Sequence, residues 1–183
     1  QSRSLLLGFD ETHQCVNIHE IVRDAGCNAA RERNTHVEKS GTKFEKWPTI
    51  KNVTTRISLP YIEIDKFPPI LEFPDLEFFL YHPKSSSIQL SDSLFCNSKK
   101  LRAISLCGIQ SGLPSSLGKL EDLQTLCLHQ CCLRDSAFPE VKGLKNLIML
   151  SFRYSNLTSL PRELETLTSL KLLDLHGCRD LEL

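Results

Sequence analysis

Apolar positions in the second half of this chain recur in one phrase, apolar-x-x-apolar-x-apolar. It reads Leu101/Ile104/Leu106, Leu123/Leu126/Leu128, Leu147/Leu150/Phe152 and Leu170/Leu173/Leu175. The phrases start 22, 24 and 23 residues apart (123−101, 147−123, 170−147). Apolar and other residues alternate within each phrase, which predicts a short strand with one buried face. A second pattern follows each of the first three strands: Leu113-Pro114, Leu117, Leu120; then Leu133, Phe138-Pro139, Val141, Leu144; then Leu157, Leu160-Pro161, Leu164, Leu167. Spacings of three and four predict short helical or irregular turns that carry the chain back, and the proline ends the extended run. The first return is one residue short and the second one long, a slip that belongs in a connecting loop. Weaker copies lie upstream. Leu76/Phe79/Tyr81 begins 25 residues before Leu101 (101−76), and Thr54/Ile57/Leu59 begins 22 before Leu76 (76−54).

That phrase at that period predicts an α/β leucine-rich-repeat solenoid with parallel short strands on its concave face. A set of amphipathic helices is excluded by Pro114, Pro139 and Pro161, which would break them. If the fourth and sixth places point inward, the intervening and flanking places face outward on the concave side. Three columns result. The middle one is Ser105, Cys127, Ser151, Asp174. The one before is Ala103, Thr125, Met149, Leu172. The one after is Cys107, His129, Arg153, His176. A mixed apolar and basic strip suits protein docking; ordinary variation of exposed positions reads the same way. Met149, Arg153, His129 and Leu172 are the candidate binding residues.

Residues 5–33 do not repeat. Leu5-Leu6-Leu7 and Cys15-Val16, around the polar turn 8–12, predict two short strands. Ile18, Ile21, Val22, Ala25 and Ala29 then predict a helix running to about residue 33, with Asn17 and Glu20 as a capping pair. This places His19 in the first turn. Free N–H groups there favour phosphate, to which a histidine can add a donor; on spacing alone, a histidine without a ligand is the better fit. Hairpin followed by helix is compatible with the end of a winged-helix unit.

Twenty-two basic residues balance 22 acidic ones, so no global field favours nucleic acid. The charge is uneven. Residues 31–56 hold seven Lys/Arg against three Glu, and residues 57–82 hold one Lys against five Asp/Glu. No apolar run approaches the roughly 18 residues of a membrane span, and Leu5 to Leu7 is too short for a signal-peptide core. The chain opens on Gln1 and stops partway through a repeat without a polar cap, which predicts a piece of a longer protein. Eight scattered cysteines without a Cys-x-x-Cys pair suit a reducing compartment. Asn52-Val-Thr54 and Asn156-Leu-Thr158 match a glycosylation acceptor pattern at a frequency close to chance. Catalytic phrases are missing: there is no Gly-x-Ser-x-Gly and no His-Glu-x-x-His, since Arg23 stands where the second His would be. His13, Cys15, His19 and Cys27 do not match a zinc spacing, so no metal site is expected.

The run Cys15-Val-Asn-Ile-His-Glu-Ile-Val-Arg-Asp24 resembles the Met-His-Asp region of plant nucleotide-binding leucine-rich-repeat disease-resistance proteins of the coiled-coil class. Trp47-Pro48, Ile57-Ser58-Leu59, Leu160-Pro161-Arg-Glu-Leu164 and Leu170-Lys-Leu-Leu-Asp-Leu175 also resemble that family. The resemblance implies a cytoplasmic immune receptor whose nucleotide-binding module holds ADP when off and ATP when on. Ile18, His19 and Glu20 would stand for the motif's Met, His and Asp, with His19 contacting an ADP phosphate in the full-length protein. The chain has no Gly-x-x-x-x-Gly-Lys-Ser/Thr loop, so no cofactor is expected for it alone and it is not expected to be an enzyme. The implied domains are 1–33, the end of a winged-helix subdomain; 34–53, a linker; and 54–183, the repeats, degenerate over 54–100 and clear over 101–183. The implied partners are the protein's own nucleotide-binding module and a pathogen effector or guarded host protein. With the first of these, the resemblance implies an autoinhibitory contact to which Met149, Arg153, His129 and Leu172 would contribute. An intracellular repeat scaffold, such as a ubiquitin-ligase substrate adaptor, is the alternative.

Overall fold

The computed structural model describes the backbone of residues 6–10 and 15–18, and residues 34–85, 89–110, 112–133 and 139–181 in full. Strands β1 (Leu6–Asp10) and β2 (Cys15–Ile18) form an antiparallel hairpin. Two strands were expected here, but both are longer. The first runs through Gly8, Phe9 and Asp10, which were assigned to a turn. The second includes Asn17, paired with Gly8, and Ile18, paired with Leu6. Asn17 is therefore a ladder residue and not a helix cap. The β-branched residues at 16 and 18 favour extended backbone, and a ladder satisfies more backbone groups than a cap does. His19, Glu20 and the helix expected to reach residue 33 lie outside the described residues.

A seven-stranded parallel sheet forms the body, in the order β11-β10-β9-β8-β7-β5-β3. Its strands are β3 (Thr35–Val37), β5 (Arg56–Pro60), β7 (Phe78–His82), β8 (Ala103–Cys107), β9 (Thr125–His129), β10 (Met149–Ser151) and β11 (Leu172–Asp174). Each successive strand lies beside the last, so the chain is a parallel-strand solenoid. A small side ribbon pairs β4 (Lys43–Phe44) with β6 (Glu63–Ile64). Segment 34–53, expected as a linker, supplies β3 and β4, and Trp47 and Ile50 pack on the core. The rings explain the difference: Trp47 lies 5.0 Å from Phe67 and 6.4 Å from Phe79, which draws this segment into the stack.

The phrase is the register of the sheet. Ile57, Phe79, Ile104, Leu126 and Leu150 are opposed in successive strands, and each is 0% exposed. Leu59, Tyr81, Leu106 and Leu128 form a second buried ladder. Strands β7, β8 and β9 share one alternation of half-buried and buried residues. Each such side chain contributes about 1.5–3 kcal/mol by leaving water, so a one-residue slip would be prohibitive.

The returns are short 3-10 turns at Ser115–Lys119, Val141–Gly143 and Arg162–Thr166. Pro114 and Pro161 sit extended at the starts of the first and third, with ψ of 131° and 138°. Their carbonyls accept from the N–H of Leu117 (2.9 Å) and Leu164 (3.2 Å). Adjacent returns touch backbone to backbone. A Cβ on Gly143 would stand 2.1 Å from the Gly118 carbonyl oxygen, so only glycine fits there.

Polar clasps tie one turn to the next. Ser155 Oγ accepts from Cys131 N and donates to the Leu128 carbonyl, both at 3.0 Å. Cys178 Sγ donates to the Phe152 carbonyl at 3.0 Å, and Asn156 Oδ1 accepts from Leu133 N at 3.1 Å. Cys131 Sγ donates to the His129 carbonyl at 3.2 Å. Two thiols thus satisfy backbone carbonyls in the turns. Among the described residues no helix is long and apolar enough to cross a membrane.

Candidate functional site

The outward places of the strands form one face with three rows. The first carries Phe78, Ala103, Thr125, Met149 and Leu172, each opposite the next. The middle carries Leu80, Ser105, Cys127, Ser151 and Asp174. The third holds His82 and the Cys107–His129 pair, and continues just past the strand ends to Arg153 and His176.

The four expected residues all lie on this face, as two pairs. Met149 opposes Leu172, which is 47% exposed, and a shallow depression of about 470 Å³ with Arg102, Gln124, Ile148 and Lys171 on its rim opens beside them. His129 and Arg153 sit at the other end of their strands, where Gln130 N–H donates to the Arg153 carbonyl at 3.0 Å. Four residues of strand, about 13 Å, separate the pairs, so the structure does not gather them into one patch.

The third row is dense in polar rings. His82 Nε2 lies 2.8 Å from Ser105 Oγ, and the His82 and His129 rings are 5.6 Å apart at 60°. Burial, with the neighbouring His129, pushes the His82 imidazole down to about 4. Burial and then the Arg153 guanidinium lower His129, against a smaller upward pull from Asp174. Both rings are therefore neutral near pH 7 and act as donor and acceptor at once. Cys107 Sγ donates to Gln130 Oε1 at 3.4 Å. Burial raises the Cys107 thiol to about 11 and Cys131 to about 12, and raises Cys127. Such thiols stay protonated and are poor nucleophiles.

At the far end Asp174 organises the surface. Its Oδ2 accepts from Ser151 Oγ at 3.2 Å and its Oδ1 from His176 N at 3.0 Å. Arg153 Nε lies 3.6 Å from Asp174 Oδ2, too far for a hydrogen bond, and this buried nitrogen has no hydrogen-bond partner. The guanidinium sits 5.9 Å from the Tyr154 ring centroid, and Tyr154 meets His176 edge-on at 5.3 Å.

His82 and Tyr154 join the site without having been expected. His82 was legible: it follows the sixth place of the upstream phrase at Leu76, in the column of Cys107 and His129. Tyr154 was not. It has φ +57° and is 42% exposed, at a left-handed corner that Gly108, Gln130 and Gly177 also adopt in the neighbouring turns. A β-carbon at 177 would stand 2.3 Å from the Tyr154 ring, so Gly177 makes room for it. Non-glycine residues seldom hold such a corner, and alternation along a strand says nothing about it. Among the described residues no group of three or more His, Cys, Asp or Glu is arranged to hold a metal. His13, His19 and Cys27 lie outside them, as does the side chain of Cys15. No protein-family model matches the chain, and a search of curated proteins finds no match.

Proposed function

We propose that the chain is a leucine-rich-repeat recognition module of a cytoplasmic plant immune receptor of the nucleotide-binding class. Its concave face docks protein, first of all the receptor's own nucleotide-binding module in the resting state. What supports the reading is the union of the 22–24-residue phrase with a parallel sheet that turns its outward rows to one side. Exposed Tyr154 and Leu172 and half-buried Met149 and Arg153 supply aromatic, apolar and guanidinium surface for a protein partner, with the tyrosine and arginine the types that most often carry binding energy at interfaces. Arg153 is ion-paired with Asp174, yet its buried Nε makes no hydrogen bond, so a partner's acceptor could still satisfy it. His19 and its flanking Ile18 and Glu20 would supply the phosphate contact to ADP in the full-length protein, and a pathogen effector or guarded host protein would be the signal that releases the contact.

The test is association in the full-length receptor. Arg153→Glu with His129→Glu is expected to weaken binding of the repeat module to the nucleotide-binding module by about tenfold or more; unchanged association removes the docking role. His19→Ala is expected to speed ADP loss, and ADP retention equal to the parent removes the phosphate contact.

A further inference from the structure

On the edge of the solenoid where β4, β6 and β7 end, a cavity of about 530 Å³ is lined by Lys43, Glu63, Asp65, Phe67, Tyr81 and Gln110, with Gln89 on its rim. This edge is separate from the concave face. Its floor is aromatic: Phe67 and Tyr81 meet edge-on at 4.8 Å, and Tyr81 is 2% exposed. Its charge is net negative. Lys43 Nζ lies 3.4 Å from Asp65 Oδ1, which leaves the half-buried Glu63 carboxylate without a hydrogen bond or ion pair among the described residues. The side-chain amides of Gln89 and Gln110 are likewise uncommitted among the described residues. Burial pushes the Tyr81 phenol up to about 12, against the Ile64 backbone hydrogen bond, and the charges of Glu63 and Asp65 add smaller upward pulls. The negative field therefore extends into the floor.

We propose that this recess binds an arginine side chain presented by a protein partner. A guanidinium has five N–H donors and no acceptor, so it meets an unpaired carboxylate and two amide carbonyls without leaving an acceptor buried. It is planar and weakly hydrated, and packs against aromatic rings more readily than an ammonium does. The acidic excess of residues 57–82 thereby gains a role that the repeat pattern does not give it.

The test titrates the full chain with acetyl-Gly-Arg-Gly-amide, with acetyl-Gly-citrulline-Gly-amide as the neutral isostere, and with free arginine, read by amide NMR. The arginine peptide should shift Glu63, Ile64, Gln89 and Gln110, bind at least as tightly as free arginine, and weaken about tenfold on Glu63→Gln or with citrulline. Glu63 is half exposed, so the variant should keep its dispersion elsewhere. Equal binding of the citrulline peptide, unchanged binding in Glu63→Gln, shifts elsewhere, or a preference for free arginine over the peptide would overturn the proposal.

Discussion

The turns before residue 100 and those after it share one sheet and one inward ladder, yet they fill their interiors differently. Downstream, leucine occupies nearly every inward place, and the returns are proline-led 3-10 turns packed glycine against glycine. Upstream, the space is filled by rings. Tyr81, Phe67, Trp47, Phe79 and Phe95 touch in that order with centroids 4.8–6.4 Å apart, and the side ribbon β4–β6 accompanies them. Strand register depends on backbone pairing and on which face is apolar, and both regions meet that demand. Interior volume is a separate demand that either leucines or rings can meet.

The sharpest way to separate the two regions is to hollow each out. Phe79→Ala is expected to cost about 3–5 kcal/mol and Leu126→Ala about 2–5 kcal/mol, measured by urea unfolding followed through Trp47, the one tryptophan. Phe79 touches rings from two other turns, so its loss should be the larger; the reverse order would mean that the upstream rings are loosely packed.

Acid comes next. His82 has a folded pKa of about 4 against 6.5 unfolded, so the unfolded chain takes up the proton first. The stabilisation from the neutral ring is complete above pH 6.5, and falls by about 3 kcal/mol as pH drops from 6.5 to 4. His129 adds to the same trend. Unfolding free energy measured across that range should slope with pH in the parent and flatten in His82→Gln. An unchanged slope would place the ring in contact with water.

Glycines in the connections between strands offer the smaller effects. Gly143→Ala forces apart two returns in backbone contact and is expected to cost about 1–3 kcal/mol. Gly41, at φ +86° with open space around it, should lose only about 1 kcal/mol on replacement by alanine, the cost of a left-handed residue. Equal losses in thermal unfolding would mean that the returns shift aside freely.

The legible parts of this fold are those that repeat. Ile104, Leu126, Leu150 and Leu173 were placed inward by spacing alone and oppose one another in the sheet. The outward rows followed, because side chains on a strand alternate by geometry. Where the pattern lapses, so does the reading. Thr35–Val37 carries no leucine and was assigned to a linker, although its backbone pairs with Arg56–Ser58. Asn17 was taken for a cap because a local pattern cannot register the strand across from it.

Local sequence thus determined the period, the inward ladder, the proline-led returns and the columns of the outward face, since each depends only on residue type and spacing within about one turn. Contacts between turns decided the rest. The stacking of rings from Trp47 to Phe95, the tilt of the His82 ring toward His129, and the left-handed corner that turns Tyr154 onto His176 all join residues more than twenty positions apart or depend on a neighbouring turn being in place. Such contacts take their energy from packing that exists only once the turns are stacked.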